Sequence, residues 1–300
     1  MKSRLFTLLI LTTIAFVSCR KTGSEPDIKA YDQQQILSYI SSQHITGMLR
    51  DTSGGDTTGI YYKIITPGTG KTLDYTDSVA FVYTIHSLDG KYVATDTVLN
   101  HYDDFLGHVS PNGLMLGIRN ILKKKGGQIR MIIPSRLAYG TAGAGSGSKT
   151  VTNGRIAGNE SLDYYVNLIS DQHVYDNLVI KNYIAANSLS GYTETASGVW
   201  YKIKTPGTGT SPITDNTTIT AYYTLQLMNN TVVQDFSTSS NSFNIVDLTP
   251  GVSEALKLTT NGGSISMLIP SGLAYGPAAQ TGIPANACLR FEFTILTVTP

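Results

Sequence analysis

Hydrophobic and polar positions follow the same order of patterns twice along the chain, once in each half. Each half opens with a segment whose apolar residues are spaced for one face of a helix, at 31–40 and at 175–184. A short strand pattern follows, YYKII or WYKIK, and leads into Pro-Gly-Thr-Gly, where a fixed proline φ and two glycines favour a turn. Alternating apolar and polar positions then predict further strands at 78–88 and 218–228.

A second helical segment follows in each half, GLMLGIRNILKKK in the first and GVSEALKLTT in the second, before the last strands. Helix C-termini favour basic residues and a following glycine, and here three lysines precede Gly126. We therefore interpret the basic run as a helix end rather than as a nucleic-acid site. Strands with one short central helix predict an α+β fold with an antiparallel sheet in each half.

The two halves also repeat one another literally. GIYYKIITPGTG at 59–70 returns as GVWYKIKTPGTG at 198–209, and IPSRLAYG at 133–140 returns as IPSGLAYG at 269–276. Two copies with so long a period indicate a duplicated domain rather than a solenoid. The sequence thus predicts two domains, at 31–173 and at 174–300, and each begins with its own lead-in helix.

The N-terminus carries an export pattern. Lys2 and Arg4 precede an apolar run that ends at Ser18-Cys19. The run has about 13 residues, which suits the core of a signal peptide and is short for a membrane span. The Ser-Cys pair resembles the lipobox of bacterial lipoproteins, which implies a signal peptide at 1–18, a lipidated Cys19 and a linker at 19–30. The alternative is an ordinary secretory signal with a chance cysteine, and the choice between inner and outer membrane stays open.

Composition and charge exclude several classes of function. The formal net charge is +1 and no long block of one sign occurs, which argues against a nucleic-acid partner. The 5 histidines show no metal-ligand spacing, so neither a metal nor a cofactor is expected. Cys288 is the only cysteine after Cys19, which leaves no disulfide within the mature chain and makes a small buried residue the simplest interpretation.

The order of motifs resembles FKBP-type peptidyl-prolyl cis-trans isomerases. The motifs are YKI with PGTG, the YT pair of the second strand, IPS.LAYG, and GIPANACLRFEFTIL near the C-terminus. The resemblance covers about 59–169 and 198–298. It implies two FKBP-like domains, each an antiparallel sheet curled around a short helix, which bind proline-containing polypeptides and isomerise the X–Pro bond.

The resemblance also implies which residues form the pockets, and in each domain the tyrosine of LAYG would donate a hydrogen bond to a bound carbonyl. The pocket of the second domain would comprise Tyr223, Phe243, Val252, Tyr275, Ile283 and Phe291. A second, weaker pocket in the first domain would comprise Tyr83, Phe105, Leu114, Tyr139, Ile156 and Tyr164. Without the motif order, ordinary sheet core would be the simpler interpretation of these side chains.

Both copies depart from the family pattern. Where the family has a Phe-Asp pair, the first copy has Val93-Ala94 and the second has Val233-Gln234. The pocket-floor tryptophan of the family is replaced by a leucine and a valine, Leu114 and Val252. The first copy also carries a longer loop after LAYG, with 17 positions from its tyrosine to its isoleucine against 8 in the second.

Three functions therefore remain open. The first is a lipid-anchored, periplasm-facing isomerase or folding helper for exported polypeptides, with degenerate sites. The second is a catalytically inactive binding module for peptides or proteins in the cell envelope. The third is a structural envelope protein, which would need the fold but not the aromatic pocket. The loss of the aspartate and tryptophan favours the second, and the retained Tyr275, Ile283 and Phe291 favour the first.

Overall fold

A computed structural model describes residues 27–53, 58–148 and 150–299 of the chain. The signal peptide predicted at 1–18 and the lipidation predicted at Cys19 lie outside these residues. None of the helices in the described ranges is long and apolar enough to cross a membrane.

The described residues of the first half form two α-helices and seven strands. Its elements are α1 (Ile28–Ser42), β1 (Leu49–Arg50), β2 (Tyr61–Thr66), β3 (Ser78–Ser87), β4 (Val93–Ala94), β5 (His101–Phe105), α2 (Asn112–Leu116), β6 (Gln128–Ile133) and β7 (Leu162–Ile169). Helix α2 continues as one wider π-helical segment, Gly117–Leu122, and Lys123 ends it with a φ of 71°. Short 3-10 turns follow β5 and β6, at Leu106–His108 and Ser135–Leu137.

The second half repeats this order. Its elements are α3 (Gln172–Ala186), β8 (Thr193–Glu194), β9 (Trp200–Thr205), β10 (Thr218–Leu227), β11 (Val232–Asn244), α4 (Pro250–Leu256), β12 (Ser264–Ile269) and β13 (Leu289–Thr299). One long strand, β11, stands where the first half has β4 and β5. Short 3-10 turns again follow the corresponding strands, at Ile245–Asp247 and Ser271–Leu273.

Each half forms its own antiparallel sheet, and the two sheets have the same topology. The strand order is β1-β2-β6-β7-β3-β4 in the first sheet, with β5 also paired to β3, and β8-β9-β12-β13-β10-β11 in the second. Two antiparallel sheets, each with one short helix against it, confirm the predicted α+β fold. We call the part with the first sheet domain 1 and the part with the second sheet domain 2.

A glycine brings the short helix of each domain close to its sheet. A Cβ on Gly113 in α2 would lie 2.3 Å from Cγ2 of Ile133, and one on Gly251 in α4 would lie 2.5 Å from Cγ2 of Ile269. A side chain at either position would clash at these distances, so both helices pack directly against an isoleucine of the strand, Ile133 or Ile269. The next residue of each helix, Leu114 or Val252, then enters the core and is 2% exposed.

A buried aspartate ties each lead-in helix to the turn that precedes LAYG. In domain 1, Oδ1 of Asp32 accepts a hydrogen bond from the Ser135 hydroxyl at 2.6 Å. In domain 2, Oδ2 of Asp176 accepts from the backbone N–H and the hydroxyl of Ser271, at 2.8 and 2.7 Å. Both carboxylates are almost fully buried. The aspartate of the repeated YD sequence therefore contacts the serine of the repeated IPS sequence in both domains. This contact positions the LAYG loop.

Candidate functional site

Domain 2 contains a cavity of about 170 Å³ between α4, the LAYG loop and the inner face of its sheet. Five of the six residues predicted for this pocket line it: Tyr223, Phe243, Val252, Tyr275 and Phe291. They come from three strands, a helix and a loop that are far apart in the sequence. Its other lining residues are Gln234, Asp247, Leu248, Thr249 and Phe293.

Aromatic rings form the wall of the cavity around Tyr223. Its ring stacks on Phe236 and on Phe293, with centroids 5.1 and 5.3 Å apart, and meets Phe243 edge-on at 5.3 Å. The register of the sheet explains the cluster, because Tyr223 in β10 lies opposite Phe236 in β11 and Phe293 in β13. Offset-stacked and edge-to-face pairs of this kind hold rings in fixed positions, which gives the cavity a defined apolar wall.

Tyr275 stands at the rim of the cavity. The 3-10 turn Ser271–Leu273 and Gly276, with a φ of 58°, turn the chain so that the Tyr275 side chain is 37% exposed beside the cavity. Within the part of the chain that the structure describes, its hydroxyl has no hydrogen-bond partner. A phenol at the mouth of an apolar cavity can donate to a carbonyl of a bound ligand.

A neutral hydrogen bond occupies the place where the family carries an aspartate. The hydroxyl of Tyr223 donates to Oε1 of Gln234 at 2.8 Å. Burial raises the pKa of Tyr223, and the neighbouring Tyr275 adds to the rise. Asp235 lies one position further along β11, opposite Thr224, and its carboxylate accepts from the backbone N–H of Ser237 at 3.0 Å. Asp96 is also engaged elsewhere, with Asn229.

Ile283, the sixth residue predicted for this pocket, is placed in the core behind the cavity rather than on its lining. It is 5% exposed and belongs to the same core cluster as Phe291 and Val252. Its backbone pairs with Gln280 in a tight turn, which directs this loop back into the sheet. A contact of Ile283 with a ligand therefore stays a prediction, and its observed contacts are with the core.

The tyrosines predicted for the pocket of domain 1 gather in and against its core. Tyr164 is 1% exposed, and Tyr139 lies close enough to affect its hydroxyl. Burial, together with Tyr139, raises the pKa of Tyr164 well above its ordinary value. Tyr83 packs 6.1 Å from the Tyr164 ring, and Leu114 and Ile156 are buried in the same core. Tyr139, which corresponds to Tyr275, is partly buried against this core.

Phe105 does not occupy the position that was predicted for it. In domain 2, Phe243 lies opposite Ile219, whereas in domain 1 the residue opposite the corresponding Val79 is Asp104. Phe105 is one position further along, and a shift of one residue moves a side chain to the other face of a sheet. Its ring is 49% exposed and packs edge-on against His108, at 5.7 Å.

The two domains fill the region beside the pocket tyrosine in opposite ways. Domain 1 has a large residue on β3, Phe81, and a small one on β7, Val166, which lies opposite Tyr83. Domain 2 has a small residue on β10, Ala221, and a large one on β13, Phe293. All four are buried. In domain 1, Phe81 stands at the position that Ala221 has in domain 2, and its ring stacks on Tyr102 at 4.8 Å. Aromatic rings therefore fill this region of domain 1.

The long loop after LAYG in domain 1 is attached to the rest of the domain. The backbone N–H of Asn153 donates to the carbonyl of Lys91 at 2.7 Å, and Oδ1 of Asn153 accepts from the N–H of Val93 at 2.7 Å. Ala144 and Ile156 pair across the base of the loop. The loop therefore joins the LAYG segment to β4, the strand whose counterpart in domain 2 carries Gln234.

Sequence patterns could have identified two of the lining residues that were missed. Phe293 is the next inward-facing residue after Phe291 in FEF, so period-two alternation places both rings on one face. Gln234 stands where the family's aspartate is expected, and a polar residue at this position could have indicated that it lines the cavity. Asp247, Leu248 and Thr249 belong to the connection before α4, for which the sequence shows no periodicity. In the described ranges, no group of three or more His, Cys, Asp or Glu side chains could hold a metal ion.

Residues 209–296 match the family model of FKBP-type peptidyl-prolyl cis-trans isomerases. The chain is 33% identical over 133 residues to FKBP-type peptidyl-prolyl cis-trans isomerase FkpA of Buchnera aphidicola subsp. Acyrthosiphon pisum, a match that covers 43% of this chain and 52% of that protein. It is 33% identical over 120 residues to outer membrane protein MIP of Legionella longbeachae, covering 39% of this chain and 51% of that protein.

The crystal structure of FkpA from Escherichia coli is similar to 43% of this chain, over 62% of its own length, with 29% sequence identity and a TM-score of 0.39. The chain thus spans about half the length of the curated relatives it matches.

Proposed function

We propose that the chain isomerises X–Pro bonds at the domain 2 cavity, and the match of residues 209–296 to the family model of FKBP-type peptidyl-prolyl cis-trans isomerases supports this proposal. The single observation that carries the proposal is the cavity itself. Five residues implied by the family resemblance converge on one apolar space, with the unpartnered hydroxyl of Tyr275 at its rim. The proposed substrates are unfolded or proline-containing polypeptides.

This chemistry needs neither a nucleophile nor a metal. Rotation about the X–Pro bond is slow because amide resonance holds the bond planar, with a barrier of about 18–20 kcal/mol. The planar amide is more charge-separated than the twisted one, so water favours the planar ground state. A cavity walled by Tyr223, Phe243 and Phe291 excludes water from the prolyl group and removes that preference. A site whose shape fits the twisted amide better than the planar one lowers the barrier.

Tyr275 is the residue we propose to hold the bound peptide. Its hydroxyl would donate to the substrate carbonyl at the mouth of the cavity, while the prolyl ring enters between the aromatic walls. Tyr223 cannot supply the same donor without losing its bond to Gln234. The two tyrosines therefore have different roles, with Tyr223 a fixed wall and Tyr275 an available donor.

An isomerisation assay on a short proline-containing peptide tests the proposal, with the full chain as wild type, Tyr275→Phe and Tyr222→Phe. Tyr222 is a matched control, because it neighbours Tyr223 on β10 but faces the other side of the sheet. We expect acceleration by the wild type, a roughly tenfold loss in Tyr275→Phe, as for one lost hydrogen bond of about 1.4 kcal/mol, and no change in Tyr222→Phe. Absence of any acceleration by the folded wild type would refute the enzymatic function.

The second candidate function is a non-catalytic peptide-binding module, and two residues of the site favour it. Gln234 supplies a neutral acceptor in the place of the family's aspartate, and Val252 forms the floor in the place of a tryptophan. A smaller floor and a neutral wall can still bind a prolyl segment while stabilising a twisted amide less well. Peptide binding by the wild type without acceleration of isomerisation would favour this function.

We also propose that the chain is exported and anchored by a lipid on Cys19, and that it assists folding of exported polypeptides. The basic start, the apolar run and the Ser18-Cys19 pair support this proposal, as does similarity to a protein named as an outer membrane protein. Mass analysis of the mature protein from a membrane fraction tests it. A mature chain that begins elsewhere and carries no lipid would contradict the anchor.

A further inference from the structure

Domain 1 contacts domain 2 through the segment between β4 and the end of β5. Val98 packs against the domain 2 core and against the cluster beneath helix α3. Oδ2 of Asp96 accepts a hydrogen bond from Nδ2 of Asn229 at 2.5 Å. The contact therefore combines an apolar side chain that enters the second domain with a hydrogen bond to a charged group beside it.

A second hydrogen bond of this contact reaches the candidate site. Nδ2 of Asn286 donates to Oδ2 of Asp103 in β5 at 2.6 Å. The backbone N–H of the same asparagine donates to the carbonyl of Gly276 at 2.8 Å, and Gly276 directly follows Tyr275 in LAYG. Asn286 is 5% exposed and has a φ of 53°, so it is fixed at both ends in a conformation that few residues adopt.

Domain 1 provides an internal comparison for this arrangement. Asn159 occupies the corresponding place, has a φ of 58°, and makes the same backbone hydrogen bond to Gly140 at 2.8 Å. The backbone bond is therefore part of the repeated fold. The carboxylate that holds the asparagine side chain is contributed to domain 2 by the other domain.

We propose that domain 1 positions the active site of domain 2, and that Asp103 is the positioning residue. Its carboxylate fixes Asn286, Asn286 fixes the Gly276 carbonyl, and the LAYG loop then holds Tyr275 at the rim of the cavity. A hydrogen bond to a charged acceptor in a partly buried interface is stronger than a neutral one, so it can select one loop conformation. The inference rests on the proposed function for its catalytic consequence, but the loop contact is independent of catalysis.

Two readouts on the full chain test this inference. The first is kcat/KM for a proline-containing peptide, and the second is hydrogen exchange of the Asn286 backbone amide, which reports its bond to Gly276 directly. The variants are Asp103→Ala, Asn286→Gly and the double variant. Glycine keeps the positive φ and the backbone N–H while it removes the carboxamide. Asp104→Ala is the matched control, because this neighbour in β5 bonds only within domain 1, to Phe105 and His108.

We expect Asp103→Ala to lower kcat/KM roughly three- to tenfold, in the range of coupling through a chain of packed groups. The Asn286 amide should exchange faster in Asp103→Ala, and Asp104→Ala should match the wild type in both readouts. The double variant should be no worse than Asn286→Gly alone, because both changes remove the same contact. Asn286→Gly provides the same test from the domain 2 side if Asp103→Ala does not fold.

The outcomes separate this inference from the proposed function. An inactive wild type would refute isomerisation, whereas faster Asn286 exchange in Asp103→Ala would still support the positioning contact. Unchanged exchange and unchanged kcat/KM in folded Asp103→Ala would overturn the inference and leave isomerisation standing. Additive effects of the two substitutions would also overturn it, because they would show that Asp103 and Asn286 act separately.

Discussion

The carboxylate of Asp176 in helix α3 accepts two hydrogen bonds from Ser271, one from the backbone N–H at 2.8 Å and one from the hydroxyl at 2.7 Å. Ser271 begins the turn that leads to Tyr275, four residues later. The other oxygen of the same carboxylate accepts from Nε2 of Gln172 at 2.7 Å. The lead-in helix α3 therefore helps to position the Tyr275 loop of the candidate site, although the helix lies outside the segment that carries the family motifs.

Asp176→Ala should destabilise domain 2 strongly. The substitution leaves the N–H and hydroxyl of Ser271 buried without their acceptor, so we expect a loss of roughly 3 kcal/mol in the free energy of unfolding. Urea denaturation measures it. Asp171→Ala is the control on the same helix, since it removes only an exposed N-cap bond to Val174, for a cost of about 1 kcal/mol. Equal losses in the two variants would contradict a supporting role for Asp176.

The exchange of large and small residues between the domains predicts a compensating pair of substitutions in domain 2. Phe293→Val alone removes a buried ring and should cost about 2 kcal/mol, and Ala221→Phe alone overpacks the core by a similar amount. Together they reproduce the arrangement of Phe81 and Val166 in domain 1. The double variant should therefore lose less stability than the two single variants lose together, and the difference should be an interaction energy of about 1 kcal/mol.

Thermal or urea denaturation of the wild type, both single variants and the double variant completes this cycle. Strict additivity would show that Ala221 and Phe293 do not share a space. The double variant should also lose peptide binding, because a ring on β10 fills the region beside Tyr223.

The duplicated patterns predicted most of the fold from the sequence. Period-two and helical spacing located the strands and helices, and literal repeats such as IPS.LAYG showed that both halves share one topology. The resemblance predicted that Tyr223 and Tyr275 lie together, and both line one cavity, because each lies in a short motif whose position is fixed by its neighbours.

What the sequence could not predict depends on register and on contacts between distant segments. Phe105 was misplaced because β4 and β5 replace one long strand, and one residue of shift changes the face of the sheet. The Asp176–Ser271 bond and the contact of Asp103 with Asn286 join residues without any periodic relation. They exist only once the chain is folded, so no local pattern indicates them.

His101 predicts a pH dependence of stability. It lies in β5 at the domain contact, 6.0 Å from the Tyr175 ring, beside a small cavity that also contacts Cys288 and Asp176. Burial lowers the pKa of His101 to about 4, partly opposed by the charge of Asp103. The folded state thus favours the neutral ring, so stability from this group is complete above the ordinary value of 6.5 and is lost as the pH falls towards 4.

We expect the free energy of unfolding to fall by about 2 kcal/mol between pH 7 and pH 5 because of this group. Urea denaturation at both values measures the change in the wild type and in His101→Gln, which cannot titrate. The exposed His173→Gln is the control and should keep the dependence of the wild type. An identical pH dependence in wild type and His101→Gln would contradict a buried, neutral His101.

We expect a prolyl residue of the substrate to bind in the domain 2 cavity. A nuclear magnetic resonance titration of the full chain with a proline-containing peptide tests this expectation, since it reports binding at each residue whether or not catalysis follows. We predict chemical-shift changes concentrated at Tyr223, Phe243, Tyr275 and Phe291, with the Tyr139 and Tyr164 signals of domain 1 unchanged. Shifts confined to domain 1, or no shifts at saturating peptide, would contradict binding of the prolyl residue in the domain 2 cavity.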